Sequence, residues 1–384
     1  MRTAATPTRM MPQVPIRLAS VEVLALELPM ITSFKTAHGT TTRKRTIIIR
    51  AEDADGVVGW GESPASDLPL YSPDTYESVW YALTRLLVPL VVGKSFGGPS
   101  ELAAAYAGYQ GYGMAKHGLE CAAWAIASEK LGKPLKVLMG GEKTGIPTGE
   151  SFGIKPTIED LLKEIEERVA QGFCRIKVKI EPGWDVDVLR RVVKAWPGLP
   201  VMADGNTGYD PGQASPWREL DELGLLMIEQ PYPGDALIEL AELQSGLRTP
   251  ICLDEAATTP RLTIAALELG AGRIVNIKPA RLGGLTHSLA VHDHCLERGV
   301  PVWCGGLLET GIGRGFNLAI SSLPGFTLPA DMSPARLFYA EDLVDPTFEI
   351  RKDGTILVPD LTGCGFQVDE RRVRKYQSET WTSR

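Results

Sequence analysis

Apolar and polar positions fall into three regimes along the chain. In the first, runs rich in Val, Ile and Leu at 17–28, 45–51 and 57–61 are separated by polar or glycine turns and predict a strand meander. From 73 to 131 the pattern turns helical, with Ala-rich stretches at 101–109 and 115–131, so strands followed by helices predict an α+β unit. After Gly145, short apolar runs alternate with amphipathic segments. The runs lie at 147–154, 175–180, 200–203, 226–228, 250–253, 274–277, 301–303 and 326–328. One intervening segment, 157–171, opens with the capping-box-like Thr157-Ile-Glu-Asp160 and closes at Gly172. Strict βα alternation across eight strands is what a closed parallel barrel requires. Beyond 341, strand signals return at 348–352 and 355–358 around Asp353-Gly354, a two-residue hairpin turn, and this tail is expected to pack back on the first unit.

A chain of 384 residues exceeds one compact core and divides naturally into two domains. The division reads as a flexible tail at 1–15, with Met10 or Met11 as an alternative start, a first domain at 16–140, a barrel at 145–340 and a returning segment at 341–384. Hydrophobic residues make up 44%, with no apolar run near the roughly 18 residues that a membrane span needs. A net charge of −7 without a clustered basic face argues against nucleic acid and anionic membranes. The expected partner is a small molecule. Six scattered cysteines form no CxxC pair and no disulfide framework, and the N-terminus lacks the apolar core of a secretory signal, so a reducing cytoplasm fits.

The residues that close the barrel runs carry the chemistry. They are Lys179 in RIKVKI, Asp204 in VMADGN, Glu229 in MIEQP, Asp254 in ICLDE and Lys278 in VNIKP, at successive separations of 25, 25, 25 and 24 residues. That is the period of one strand, one helix and two loops, and it puts five charged groups at the C-terminal rim of five successive units. Singly, Asp204 reads equally as a turn residue and Asp254 as a helix cap. Together, three converging carboxylates would repel unless a cation sat between them. Oxygen ligands without a histidine or cysteine cluster suit Mg²⁺ better than zinc, and Mn²⁺ is its natural substitute.

In Arg175-Ile-Lys-Val-Lys-Ile180, alternation puts Lys177 and Lys179 on one face and the three aliphatic residues on the other. The aliphatic face must meet the helices, which turns both lysines into the barrel. Lys278 repeats the logic on the sixth strand, four steps away in an eight-stranded ring. Lys179 and Lys278 would therefore flank a substrate from opposite sides, and a partly desolvated site beside a metal would make a neutral lysine a competent base.

These stretches, with GYGMAKHGLECA at 111–122, IVNIKPARLGG at 274–284 and PVWCGGLLETGIGR at 301–314, resemble the enolase superfamily and its muconate-lactonizing subgroup. The likeness is greatest to o-succinylbenzoate synthases and N-acylamino acid racemases. It implies an α/β fold, a (β/α)7β modified TIM barrel with an α+β capping domain built from the N-terminal segment and the C-terminal tail. It also implies that Asp204, Glu229 and Asp254 bind Mg²⁺ and that Lys179 and Lys278 are the acid/base pair. Lys177 and Asn206 would hold the substrate carboxylate, Ser151, Gly305 and Gly306 would line the pocket, and residues 31–42 would form a lid. The protein would act on a small-molecule carboxylate as a homo-oligomer. One departure is Ala203-Asp-Gly-Asn206, where relatives carry Val-Asp-Ala-Asn; both polar residues are spared.

A strand-seven histidine, as in mandelate-racemase-like members, is missing from Pro301-Val-Trp-Cys-Gly305. His117, His287, His292 and His294 read as helix-surface or satisfied core residues, and His38 falls in the lid. Two reactions share the five rim residues: dehydration to o-succinylbenzoate in menaquinone synthesis, the leading reading, and 1,1-proton transfer on an N-succinyl or other N-acyl amino acid. A non-catalytic barrel would lack a base or a carboxylate, and a Schiff-base aldolase would not explain three rim carboxylates.

Overall fold

A computed structural model of the chain describes residues 9–36, 39–213 and 216–383. The N-terminal meander forms as the alternation predicts: β1 (Ile16–Thr36), β2 (Gly39–Asp53) and β3 (Val58–Ser63) pair antiparallel in that order. Both faces of this sheet are covered, which explains its continuous apolar runs. Leu24, Leu26, Leu28 and Ile48 join the core shared with the barrel, while Val21, Val23, Ala25, Ile47 and Ile49 pack under the helices of the first domain. The principal helix, Gly113–Leu131, lies directly against β3. A Cβ at Gly61 would sit 2.0 Å from the Gly118 carbonyl oxygen, so this approach requires glycine.

Helicity in the 101–109 stretch is shorter than its alanines suggest: the helix is Pro99–Ala104, and turns lead to Gly108. Of the expected loose tail, residues 9–15 are docked. Arg9 pairs with Asp293 at 2.6 Å, and the Val14 amide donates to the Gly97 carbonyl. Residues 1–8 lie outside the described part.

Seven parallel strands form the barrel wall: Glu150–Phe152, Ile176–Lys179, Val201–Asp204, Ile228–Glu229, Ile251–Leu253, Ile274–Asn276 and Val302–Trp303. The eighth run, 326–328, makes no strand of its own. Phe326 makes a single bridge to Val302, and Ala330, two residues past the run, makes another to Thr148, with Pro329 between them supplying no N–H to a ladder. Ile176, Val178 and Ile180 face the helices, whereas Met202, Met227, Cys252, Ile274 and Trp303 form a separate interior cluster. Helix Ile158–Ala170 starts at Thr157, whose Oγ1 accepts from the Asp160 amide at 3.1 Å.

The C-terminal tail divides its contacts. Strand Gln377–Thr382 pairs antiparallel with β1 and so returns to the first domain. The expected hairpin at 353–354 shrinks to one bridge, Ile350 to Ile356. Thr355–Leu357 pairs instead with Gly145–Pro147, whose backbone would otherwise be an open edge. All six cysteines are free, and among the described residues no helix is long and apolar enough to cross a membrane.

Candidate active site

The strand register sets the rim. Lys179 pairs across to Asp204 and Asp204 to Glu229, so these three stand in one row. Glu229 pairs with Cys252, two residues before Asp254, and Leu253 pairs with Val275, three before Lys278. Equal sequence spacing therefore meets the stagger of a twisted barrel, and the later groups reach further beyond their strands. The loops that follow are tight: Asn206, Thr207, Gln230 and Leu308 all adopt positive φ. Gln230 braces the loop after Ile251–Leu253, its Oε1 accepting from the amides of Asp254 and Ala256.

Every one of the five rim groups is buried, as are Lys177 and Asn206. Lys179 donates to Asp204 at 2.6 Å and Lys278 to Asp254 at 2.8 Å. Lys177 lies 3.2 Å from Glu229, 3.3 Å from Asp204 and 2.6 Å from Asp331. Burial pulls the Lys179 ammonium below its ordinary pKa, with Asp204 opposing. Burial pushes Lys278 the same way, but Tyr71, Glu229 and Glu255 outweigh it and hold this lysine above its ordinary value. Burial and the neighbouring Asp204 charge raise the Glu229 carboxyl. Asp204 itself stays low because Lys179 and Lys177 outweigh its burial.

Lys179, Asn206, Lys278 and Gly306 line one cavity of about 370 Å³, which Lys44, Arg45 and Tyr71 of the first domain also line. Ser151 does not share it. It pairs in register with Lys177 but lines an adjacent cavity of about 290 Å³ with Glu150, Lys155 and Arg168. Thr40, from the predicted lid, borders both cavities, whereas His38 lies outside the described residues. At Gly305 a Cβ would come within 2.5 Å of Lys278 Cε and 2.6 Å of the Asn276 amide, so glycine makes room for the lysine. Gly205 is packed rather than loose, since a Cβ there would meet Pro231 Cα at 3.0 Å.

Several participants are not among the residues predicted for the site, although Asn276 and Arg281 lie within the stretch 274–284 that carries the family resemblance. Asn276 donates to Glu229 at 2.6 Å and accepts from the Gly305 amide at 2.8 Å, orienting both. Arg281 is paired with Asp254, and Tyr71 donates to the same carboxylate. Asp331 follows the eighth apolar run, so the rule that picked strand-closing charges could have found it. Nothing local marks Tyr71. Two histidines are satisfied core residues: His117 is buried against Cys121, and His292 accepts from the Gly325 amide.

Among the described residues, no three Asp, Glu, His or Cys side chains close on a common point as a metal cage. Each rim carboxylate is engaged by an ammonium or guanidinium instead. The donor set nevertheless fits a hard divalent cation: oxygen ligands on three neighbouring strands, flanked by the buried and unpartnered Asn206 Oδ1 and Glu255 Oε2. To hold one, the carboxylates must exchange their lysine contacts for it.

Residues 19–140 match the mandelate racemase/muconate lactonizing enzyme N-terminal domain, and residues 160–372 match the enolase C-terminal domain-like family. An o-succinylbenzoate synthase of Geobacillus kaustophilus is 45% identical over 94% of this chain and 96% of its own. An N-succinylamino acid racemase of Thermus thermophilus is 42% identical over 91% and 94%. A solved enolase-superfamily structure from Listeria innocua superposes with a TM-score of 0.91 at 34% identity, covering 96% of this chain and 99% of that one. Two domain matches, near-complete coverage and one shared fold lead to a single assignment: the chain belongs to the enolase superfamily.

Proposed function

We propose that this protein removes the proton α to a substrate carboxylate in a Mg²⁺-dependent reaction, and that its reaction is the dehydration that yields o-succinylbenzoate. The observation that carries the reading is that Lys179 and Lys278, from the second and sixth barrel strands, line one cavity beside the rim carboxylates. Asp204, Glu229 and Asp254 would hold the metal, with Mn²⁺ as a substitute. When bound, the cation stabilises the negative charge that builds on the substrate carboxylate as the proton leaves.

The protein's own groups do the rest. Lys177 meets the substrate carboxylate as a fixed cation, and Asn206 offers its amide beside it. Neutral Lys179 takes the α-proton, leaving the C–H electron pair in an enediolate. The same lysine, now an ammonium, returns that proton to the departing hydroxyl, which leaves as water as the electron pair forms the new double bond. Lys278 is tied to Asp254 and lies 4.6 Å above the Tyr71 ring, a setting that suits a stationary cation facing the enediolate. Gly306 lines the cavity without a side chain, Gly305 beside it leaves room for Lys278, and Ser151 would meet a distal part of the substrate from the adjoining cavity.

A second reading, 1,1-proton transfer on an N-succinylamino acid, uses the same residues, with Lys278 returning a proton to the opposite face. The relative from Thermus thermophilus named for that activity favours keeping it. Assembly as a homo-oligomer and a cytoplasmic location belong to the same reading.

A paired assay with Mg²⁺ tests it, following dehydration of the cyclohexadiene precursor of o-succinylbenzoate and α-proton exchange of N-succinylamino acids in D₂O. Dehydration is the expected result, exchange alone would move the assignment to the racemase, and silence in both would reject the two substrates.

A further inference from the structure

Lys177 is a buried cation with three competing partners. Its Nζ lies 2.6 Å from Asp331, 3.2 Å from Glu229 and 3.3 Å from Asp204, and 4.9 Å from the centre of the Trp303 ring. Two of these partners are carboxylates that the proposed reaction reserves for a divalent cation. The third is anchored independently of them. The Asp331 amide donates to the Cys304 carbonyl at 2.9 Å, its own carbonyl accepts from Arg314 at 2.6 Å, and its Oδ1 is held by Arg175. Arg175 is wholly buried and lies over the same indole ring. Each oxygen of Asp331 thus serves one cation, and the side chain cannot follow Lys177 if that lysine moves.

We propose that Asp331 is a positioning residue that holds Lys177 at the rim to meet the substrate carboxylate and retains its ammonium when a divalent cation takes over Asp204 and Glu229. The inference rests on the roles given above to Lys177 and the rim carboxylates. Without Asp331, Lys177 keeps only Asp204 and Glu229 as charged partners, and Coulomb attraction settles it between them. A lysine seated there competes with a divalent cation for the same oxygens and leaves the substrate carboxylate without its anchor.

The test is a double-mutant cycle of Asp331→Asn and Lys177→Met, with Mn²⁺ binding read by electron paramagnetic resonance and KM and kcat measured at saturating Mg²⁺. Asp331→Asn should weaken Mn²⁺ binding and raise KM by roughly ten-fold each, with a smaller loss of kcat, and should change Mn²⁺ affinity less than about two-fold once Lys177 is methionine. Equal losses with and without Lys177 would mean that Asp331 merely compensates Arg175, and would overturn the proposal. Should Asp331→Asn fail to fold, Lys177→Met decides alone. It should raise KM while binding Mn²⁺ at least as tightly as the unaltered protein, and weaker Mn²⁺ binding or an unchanged KM would overturn the role. An unaltered protein that binds no Mn²⁺ would remove both this inference and the reading beneath it, whereas Mn²⁺ binding with an additive cycle would remove this inference alone.

Discussion

The hydroxyl of Tyr71 donates to Asp254 Oδ1 at 3.1 Å while accepting from Arg281 at 2.9 Å, so a residue of the N-terminal domain is wired into the barrel rim. The same ring lies 4.6 Å from Lys278 Nζ. Tyr71→Phe keeps the ring and loses the hydrogen bonds. A bond to a charged partner is worth about 1.5–3 kcal/mol, so kcat/KM should fall by roughly ten-fold or more with an unchanged far-UV circular dichroism spectrum. Full activity would mean that Arg281 and Lys278 suffice to hold Asp254.

Lys179→Ala removes the proposed base while leaving Lys177 to balance Asp204. Turnover should drop by about 10²–10⁴-fold or beyond, with Mn²⁺ binding retained. Appreciable residual turnover in a stopped assay would reassign the base.

Gly305→Ala puts a methyl group 2.5 Å from the Lys278 side chain. The lysine must move, and a displacement near 1 Å can cost about 10²-fold in rate. The expected result is a kcat loss of that order with KM less affected. A variant as active as the parent would show that Lys278 need not sit where it does.

Chelation by EDTA should abolish activity and added Mg²⁺ or Mn²⁺ should restore it, with little change in secondary structure. The physical reason is that Lys177, Lys179, Lys278 and Arg281 already neutralise the rim carboxylates without a metal. An enzyme indifferent to EDTA would refute the metal requirement. Unfolding on chelation would show that the ammonium groups do not compensate the carboxylates.

His117, buried in helix Gly113–Leu131, has its pKa lowered to about 4 by burial, against a pull upward from Glu309. The unfolded value is near 6.5, so its contribution is fully present above about pH 6.5 and is lost as pH falls toward 4. At about 1.4 kcal/mol per unit, the loss is on the order of 3 kcal/mol. Melting temperatures of the parent and of His117→Gln between pH 7.5 and 4.5 should converge as the pH drops. A constant gap would show that His117 does not titrate in this window.

Much of the fold was legible because short-range periodicity encodes it. Alternation in 175–180 put Lys177 and Lys179 on the inner face, and the structure buries both there. The βα period placed Asp204, Glu229 and Asp254 at strand ends, and the register sets Lys179, Asp204 and Glu229 side by side. Two strand expectations failed, one beside a proline and one where a local signal met a competing backbone partner. Pro329 interrupts the eighth ladder, and the edge at Gly145–Pro147 captures Thr355–Leu357 from its hairpin.

The sequence by itself determined the strand and helix periods, the inward face of each barrel strand and the chemical types at the rim, since those follow from backbone geometry within a few residues. Only the tertiary structure decided that Tyr71 reaches Asp254, 183 positions away, and that Asp331 shares its carboxylate between Arg175 and Lys177. Those contacts depend on how two domains and a barrel's closing loop pack, and no local pattern of hydrophobic and polar residues specifies which distant side chain will fill a given gap.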